Sequence, residues 1–205
     1  MKFRLPVIII LIVMFSGFGC SIKLGKKSTA KTYYVLQDPD TGEATYRKRP
    51  LSLLLGETTA PALASSRKIV FSRTPDTRSF YQYASWSETP PRFFTRLLLD
   101  RLETARLFTA VCRRPAVVHT DLQLSVELIE FYHDAGKPPG SARIKIRAQL
   151  FDSRRKTTVG QQYFFHAVAT PTYDAKGAVQ GFSQAVGLIL DDVVNWLDKV
   201  TKLSD

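Results

Sequence analysis

The segment "ARIKIRAQLFD" (Ala142–Asp152) places Ala142, Ile144, Ile146, Ala148 and Leu150 at alternate positions, with Arg143, Lys145, Arg147 and Gln149 between them. Successive side chains of a β-strand point to opposite faces, so this period of two assigns one set to a buried face and the other to an open one. A strand covered on both faces would read as a continuous apolar run instead. The chain therefore builds a sheet closed on one side only, and the elements that close it must lie elsewhere. "DLQLSVELIEFYH" (Asp121–His133) alternates in the same way as far as Leu128, after which Ile129 and Phe131 change face. A β-bulge near Leu128–Glu130 accounts for the switch. "HDAGKPPGS" (His133–Ser141) has turn chemistry, and "SRRKTT" leads to a further strand, "VGQQYFFHAVA" (Val159–Ala169). Three successive antiparallel strands are expected.

Two helices can cover them. Thr89 suits an N-cap and Pro90 the first helical position, and Phe94, Leu98, Leu102 and Ala105 recur at helical spacing. Arg96 and Arg101 fall outside that set and are assigned to the polar side. Leu98 is expected on the buried face, and Trp86 at the junction of strand and helix. The second helix is expected from about Ala178 to Leu203, with the stripe Phe182, Val186, Ile189, Val193, Leu197 and Val200, and with Asp191, Asp192 and Asp198 on other faces. Shorter strand candidates are "TYYVL" (Thr32–Leu36), "LSLLLGE" (Leu51–Glu57), "RKIVFSR" (Arg67–Arg73), "SFYQYASW" (Ser79–Trp86) and "LFTAVC" (Leu107–Cys112). Phe80, Tyr81, Tyr83 and Trp86 read as core and strand packing. The fold class is α+β: a mostly antiparallel sheet covered by two amphipathic helices in a single domain.

The N-terminus is different in kind. Lys2 and Arg4 precede "LPVIIILIVMF" (Leu5–Phe15), a run too short for the roughly 20 apolar residues of a membrane span but suited to an export signal. Ser16, Gly17 and Gly19 lead to Cys20, and this ending resembles a lipobox, with Gly17 standing where leucine is usual. Residues 1–19 are expected to be a lipoprotein signal peptide, and residues 20–31 a lipidated Cys20 with a flexible basic tether containing Lys23, Lys26, Lys27 and Lys31. The domain is assigned to residues 32–205. An ordinary cleaved signal and an uncleaved anchor are the alternatives. Ser21, in place of the aspartate that usually signals inner-membrane retention, points to outer-membrane sorting.

With Cys20 lipidated, Cys112 is the one remaining cysteine, expected to be a small buried side chain in a domain that relies on its apolar core. The net charge of +11, less Lys2 and Arg4 in the leader, leaves +9. An exported chain meets anionic lipid rather than nucleic acid, so no nucleic-acid partner is expected.

Catalytic patterns are weak. The three histidines, His119, His133 and His166, show no HExxH spacing and read as structural. No GxxxxGK[ST] occurs. "STAK" (Ser28–Lys31) matches SxxK but lies in the tether without the companion motifs. Asp191 and Asp192 are adjacent on a helix and diverge by about 100°. The chain reads as a non-enzyme with no cofactor or metal.

The ordered set "YYVL", "KIVFSR", "YQYASWSETPPRFFTRLLLDRLETARLFTAV", "TDLQLSVELIEFYHD", "ARIKIRAQLFD" and "AVQGFSQAVGLILDDVVNWL" resembles the ABC-type transport auxiliary lipoproteins, from about Thr32 to Val200. The resemblance implies a lipoprotein of the Gram-negative envelope, lipid-anchored and facing the periplasm from the outer membrane. Its partners would be an MCE-domain protein and the permease and ATPase of an ABC transporter. Its role would be docking or scaffolding in phospholipid transport between the two membranes, with a homo-oligomer left open. Arg143, Lys145 and Arg147 are the candidate partner or membrane contact, a like-charged row from which the fold gains nothing obvious. The alternatives are an envelope hydrolase acting on lipid or peptidoglycan, and a general assembly lipoprotein unrelated to lipid transport.

Overall fold

The computed structural model describes residues 30–39, 46–113 and 120–202. The signal segment, Cys20 and most of the tether, His119 and Leu203 lie outside the described residues. Lys31–Asp205 forms one compact unit, with strands β1 (Thr32–Tyr34), β2 (Arg49–Leu55), β3 (Lys68–Ser72) and β4 (Ser79–Trp86), then helix α1 (Pro90–Ala105). After it come β5 (Phe108–Cys112), β6 (Leu122–Asp134), β7 (Ser141–Asp152), β8 (Thr157–Ala169) and helix α2 (Ala175–Lys202).

Strand β6 is the spine. Its whole length pairs antiparallel with β7, and β7 with β8, as the alternation requires. The register shift falls between Leu128 and Glu130, where the apolar phase changes. The other edge of β6 is shared: Leu53–Leu55 of β2 pair with Leu122–Leu124, while Phe71 and Ser72 of β3 pair with His133 and Asp134. Between the two branches Thr59 bridges β6, its N–H donating to Val126 O (3.0 Å) and its carbonyl accepting from Leu128 N (2.8 Å). The neighbouring Thr58 N–H donates to Thr95 Oγ1 of α1 (2.9 Å), so the helix satisfies a buried donor at the fork.

The expectation of a mostly antiparallel sheet is corrected: the sheet is mixed. β1 with β4, β2 with β5, β2 with β6 and β3 with β6 all pair parallel. These strands are not joined by tight hairpins. Helix α1 and the longer connections return the chain to the end it started from, which is what parallel pairing needs. Periodicity within a strand reports its faces and is silent on its direction.

Both helices lie against the same face. One apolar cluster joins Leu98 and Phe94 of α1, Phe182, Val186, Ile189 and Val193 of α2, and the inward residues of β6 and β7. All its fully buried members lie between Leu36 and Leu197, so Lys31–Asp205 carries its own core, as independent folding requires. Leu98 is completely buried, and Trp86 meets Phe93, Phe131 and Phe182 at ring-centroid distances of 6.2, 5.9 and 5.7 Å. Helix α2 starts three residues before the expected position because Asp174 Oδ1 accepts from Gly177 N (2.8 Å) at its N-terminus.

Three further expectations are corrected. Arg101 is not on a solvent face but 7% exposed, because α2 and the segment after β1 cover that side of α1 and supply Asp38 and Asp191 as partners. Tyr83 is half exposed, since it projects from β4 on the side away from the helices. Cys112 is partly exposed rather than buried, at the end of β5, which among the described residues pairs with β2 alone.

Candidate functional site

The open face of β6, β7 and β8 carries the candidate residues. Arg143, Lys145 and Arg147 project together from β7, as alternation dictates. They are not an unbalanced row. Arg147 pairs with Glu127 across the strands (2.6 Å), and Arg143 lies 3.4 Å from Glu130 and 3.9 Å from Asp134. In a regular strand Glu127 and Glu130 would face opposite ways; the bulge turns both outward, and Tyr132 and Asp134 with them. The fold therefore does gain from these cations, although half-exposed pairs of this kind contribute only about 0–1 kcal/mol each.

Aromatic rings complete the face. Arg143 lies over Phe165 (4.9 Å to the centroid), Lys145 over Tyr163 (5.8 Å), and Arg78 over Tyr132 (3.9 Å). Tyr163 and Phe165 are 50% and 45% exposed on β8, whose outer edge pairs with no strand among the described residues. Such a surface offers cations, carboxylates and large rings side by side.

The two described histidines are engaged elsewhere. His133, on the inner face of β6, is fully buried; its Nδ1 lies 2.7 Å from the Tyr81 hydroxyl and its Nε2 3.4 Å from Pro139 O. Burial pushes Tyr81 up to about 12 and His133 below its ordinary value, so the pair is neutral. His166 Nε2 meets Asp192 Oδ2 at 2.8 Å. The acids of α2 separate to different bases: Asp191 to Arg101 of α1, Asp192 to His166 of β8, and Asp198 to Arg49 of β2 (3.1 Å). Sequence reasoning gave these residues no partners, and their pairings lock α2 onto the rest of the domain. Among the described residues no group of three or more His, Cys, Asp or Glu converges as a metal site, and no helix is long and apolar enough to cross a membrane.

An α+β domain with a mixed, forked sheet, one face closed by two helices and the other open, is the class this geometry defines. Residues 34–194 match the family described as ABC-type transport auxiliary lipoprotein component, and the chain belongs to that family. Among solved structures it is similar to protein XCC0632 from Xanthomonas campestris, at 21% identity and TM-score 0.73, covering 86% of this chain and 97% of that one. An uncharacterized protein matches at 13% identity and TM-score 0.66, covering 82% and 99%. The hypothetical protein CT253 from Chlamydia trachomatis matches at 9% identity and TM-score 0.50, covering 73% and 96%. At these identities the likeness is one of fold. A search of curated proteins found no match.

Proposed function

We propose that this chain is a non-enzymatic lipoprotein component of an MCE-type ABC transport system, assisting phospholipid transport between the inner and outer membranes by docking or scaffolding. Residues 1–19 are its signal peptide, Cys20 carries the lipid, and residues 20–31 tether the domain on the periplasmic side of the outer membrane. The partners are an MCE-domain protein and the transporter's permease and ATPase. The observation that carries the reading is the match to the auxiliary-lipoprotein family over residues 34–194, and the open face bearing Arg143, Lys145 and Arg147 offers it a docking surface. The test is co-purification from envelope membranes with the full chain as bait. Recovery of an MCE-domain protein supports the proposal, and its reduction by Arg143→Gln, Lys145→Gln and Arg147→Gln together places the contact on this face. Glutamine is the better replacement because glutamate would face Glu127 and Glu130. Recovery of envelope assembly factors without any transporter component would favour a general assembly lipoprotein instead.

A further inference from the structure

One end of the sheet gathers three connections: residues 73–78 between β3 and β4, 135–140 between β6 and β7, and 170–174 before α2. The parallel pairing of β3 with β6 brings the first two together, although they lie far apart in sequence. Between them opens a cleft of about 650 Å³, with Tyr132 and Arg143 among its lining, Arg73 on one wall and Lys137 on the other. Pro75 and Pro139 add apolar contact surface.

Charge in this cleft is lopsided, unlike the face beside it. Arg73 and Lys137 are exposed and make no ion pair among the described residues. Arg78 lies over the Tyr132 ring, and its Nη1 donates to Pro75 O (3.0 Å) and Thr77 O (2.8 Å) rather than to a carboxylate. Asp134 is the acid in the lining, and it already accepts from Gly136 N (3.2 Å). Arg143, held by two long contacts, keeps donors to spare. Guanidinium and ammonium groups around a shallow opening with apolar contacts fit a phosphate joined to an apolar remainder.

The direction of β1 says where such a ligand would come from. β1 runs parallel to β4 with Thr32 beside Ala84, so the chain before Thr32 arrives from the end where β4 begins, the end that holds the cleft. Running back beside β4 from Ala84 to Ser79 takes about 17 Å at roughly 3.3 Å per residue. The covalent path from Cys20 to Thr32 spans at most about 40 Å. If lipid on Cys20 anchors the chain, a tether of this length can reach about 25 Å past the cleft end, enough for the cleft to meet the bilayer surface.

We propose that this cleft receives the phosphate of an anionic phospholipid headgroup in the membrane to which the chain is tethered. The inference rests on the lipid anchor of the proposed function but not on the transporter partners. The test is co-sedimentation of Lys31–Asp205 with phosphatidylcholine vesicles, with and without phosphatidylglycerol. Binding is expected only with phosphatidylglycerol, falling as salt is raised. Arg73→Glu with Lys137→Glu should weaken it at least about thirtyfold, at roughly fivefold or a little more per cation reversed. Arg154→Glu with Lys156→Glu, the same charge change in the β7–β8 turn at the other end, should leave it within about threefold. Equal losses from the two pairs would mean diffuse attraction and overturn the cleft. So would unchanged binding by the Arg73/Lys137 variant. Absence of vesicle binding by the unmodified domain would leave an acidic protein as the better occupant. Displacement by inorganic phosphate, where chloride of equal ionic strength has no effect, would assign the cleft to free phosphate. No transporter component is present in this assay, so a failed co-purification and a failed headgroup site remain distinguishable.

Discussion

Replacing Arg101 by methionine should cost about 3 kcal/mol of stability. The guanidinium is 7% exposed and donates through Nε (3.0 Å) and Nη2 (2.7 Å) to Asp38, and through Nη1 to Asp191. Methionine keeps most of the stem's packing, so the loss is chiefly electrostatic. Asp38, at 13% exposure, would lose the guanidinium that neutralises it; removing one member of a buried pair costs about 3–5 kcal/mol. Asp191 is 41% exposed and rehydrates, so its share stays below about 1 kcal/mol and the total sits at the low end of that range. At about 2–4 °C per kcal/mol, the melting temperature should fall by roughly 6–12 °C. Urea unfolding followed by circular dichroism reads the free energy directly. Arg101→Met with Asp38→Asn also removes the uncompensated charge and should regain half or more of the loss. A single variant costing under about 1 kcal/mol, or a double variant no better than the single, would refute the view that Arg101 is a buried cation held by Asp38.

Four other outcomes are expected, three from the structure and one from the lipobox-like sequence. Leu98→Ala should cost about 2–5 kcal/mol, while Arg96→Ala, on the exposed side of α1, should cost under about 0.5 kcal/mol; both are read from urea midpoints. Gly140→Ala should destabilise by about 2 kcal/mol or more, because Gly140 has φ +88° and a Cβ there would lie 2.2 Å from His133 Nε2 and 2.6 Å from Asp134 O. Stability should fall as pH drops below about 6.5, where the unfolded chain takes up a proton that buried His133 resists. The lowered carboxylates Asp121, Asp174 and Asp198 act only nearer pH 4, so His133→Gln should flatten the slope between about pH 7 and pH 5. Cys20→Ala should abolish lipid labelling, and intact mass of the mature protein should show the modified cysteine in the parent chain.

The β6–β7 pair was readable from sequence because its period of two persists over strands of 13 and 12 residues and changes phase in β6 once, at the bulge. The same break could have placed Glu127 and Glu130 on one face and so predicted the partners of Arg147 and Arg143. β2 and β3 were located, but a strand of five or seven residues carries no mark of which neighbour it pairs with or in which direction. Arg101 was hidden by residue type. It sits three positions after Leu98 and four before Ala105, squarely within the apolar stripe, and position should have outweighed polarity. The cleft could not have been read locally at all, since Arg73 and Lys137 meet only through the non-local β3–β6 pairing.

The smallest element has the largest leverage on orientation. β1 has three residues, and its pairing with β4 is extended by Ser87 N donating to Tyr34 O (2.8 Å), so few hydrogen bonds hold it. Its direction nevertheless decides which end of the domain a tether must leave. Paired antiparallel to β4, the same residues would bring the preceding chain out near the start of α1, by Glu88 and Arg92, a self-neutralised pair (2.9 Å). Paired parallel, they bring it toward Arg73, Arg78 and Lys137. On the open face Arg147 and Arg143 already face β6 carboxylates, whereas Arg73 and Lys137 at the tethered end make no ion pair among the described residues. A partner lying along Lys145 and Arg147 would then leave the cleft end to lipid, with Arg143 the residue at which the two contacts meet.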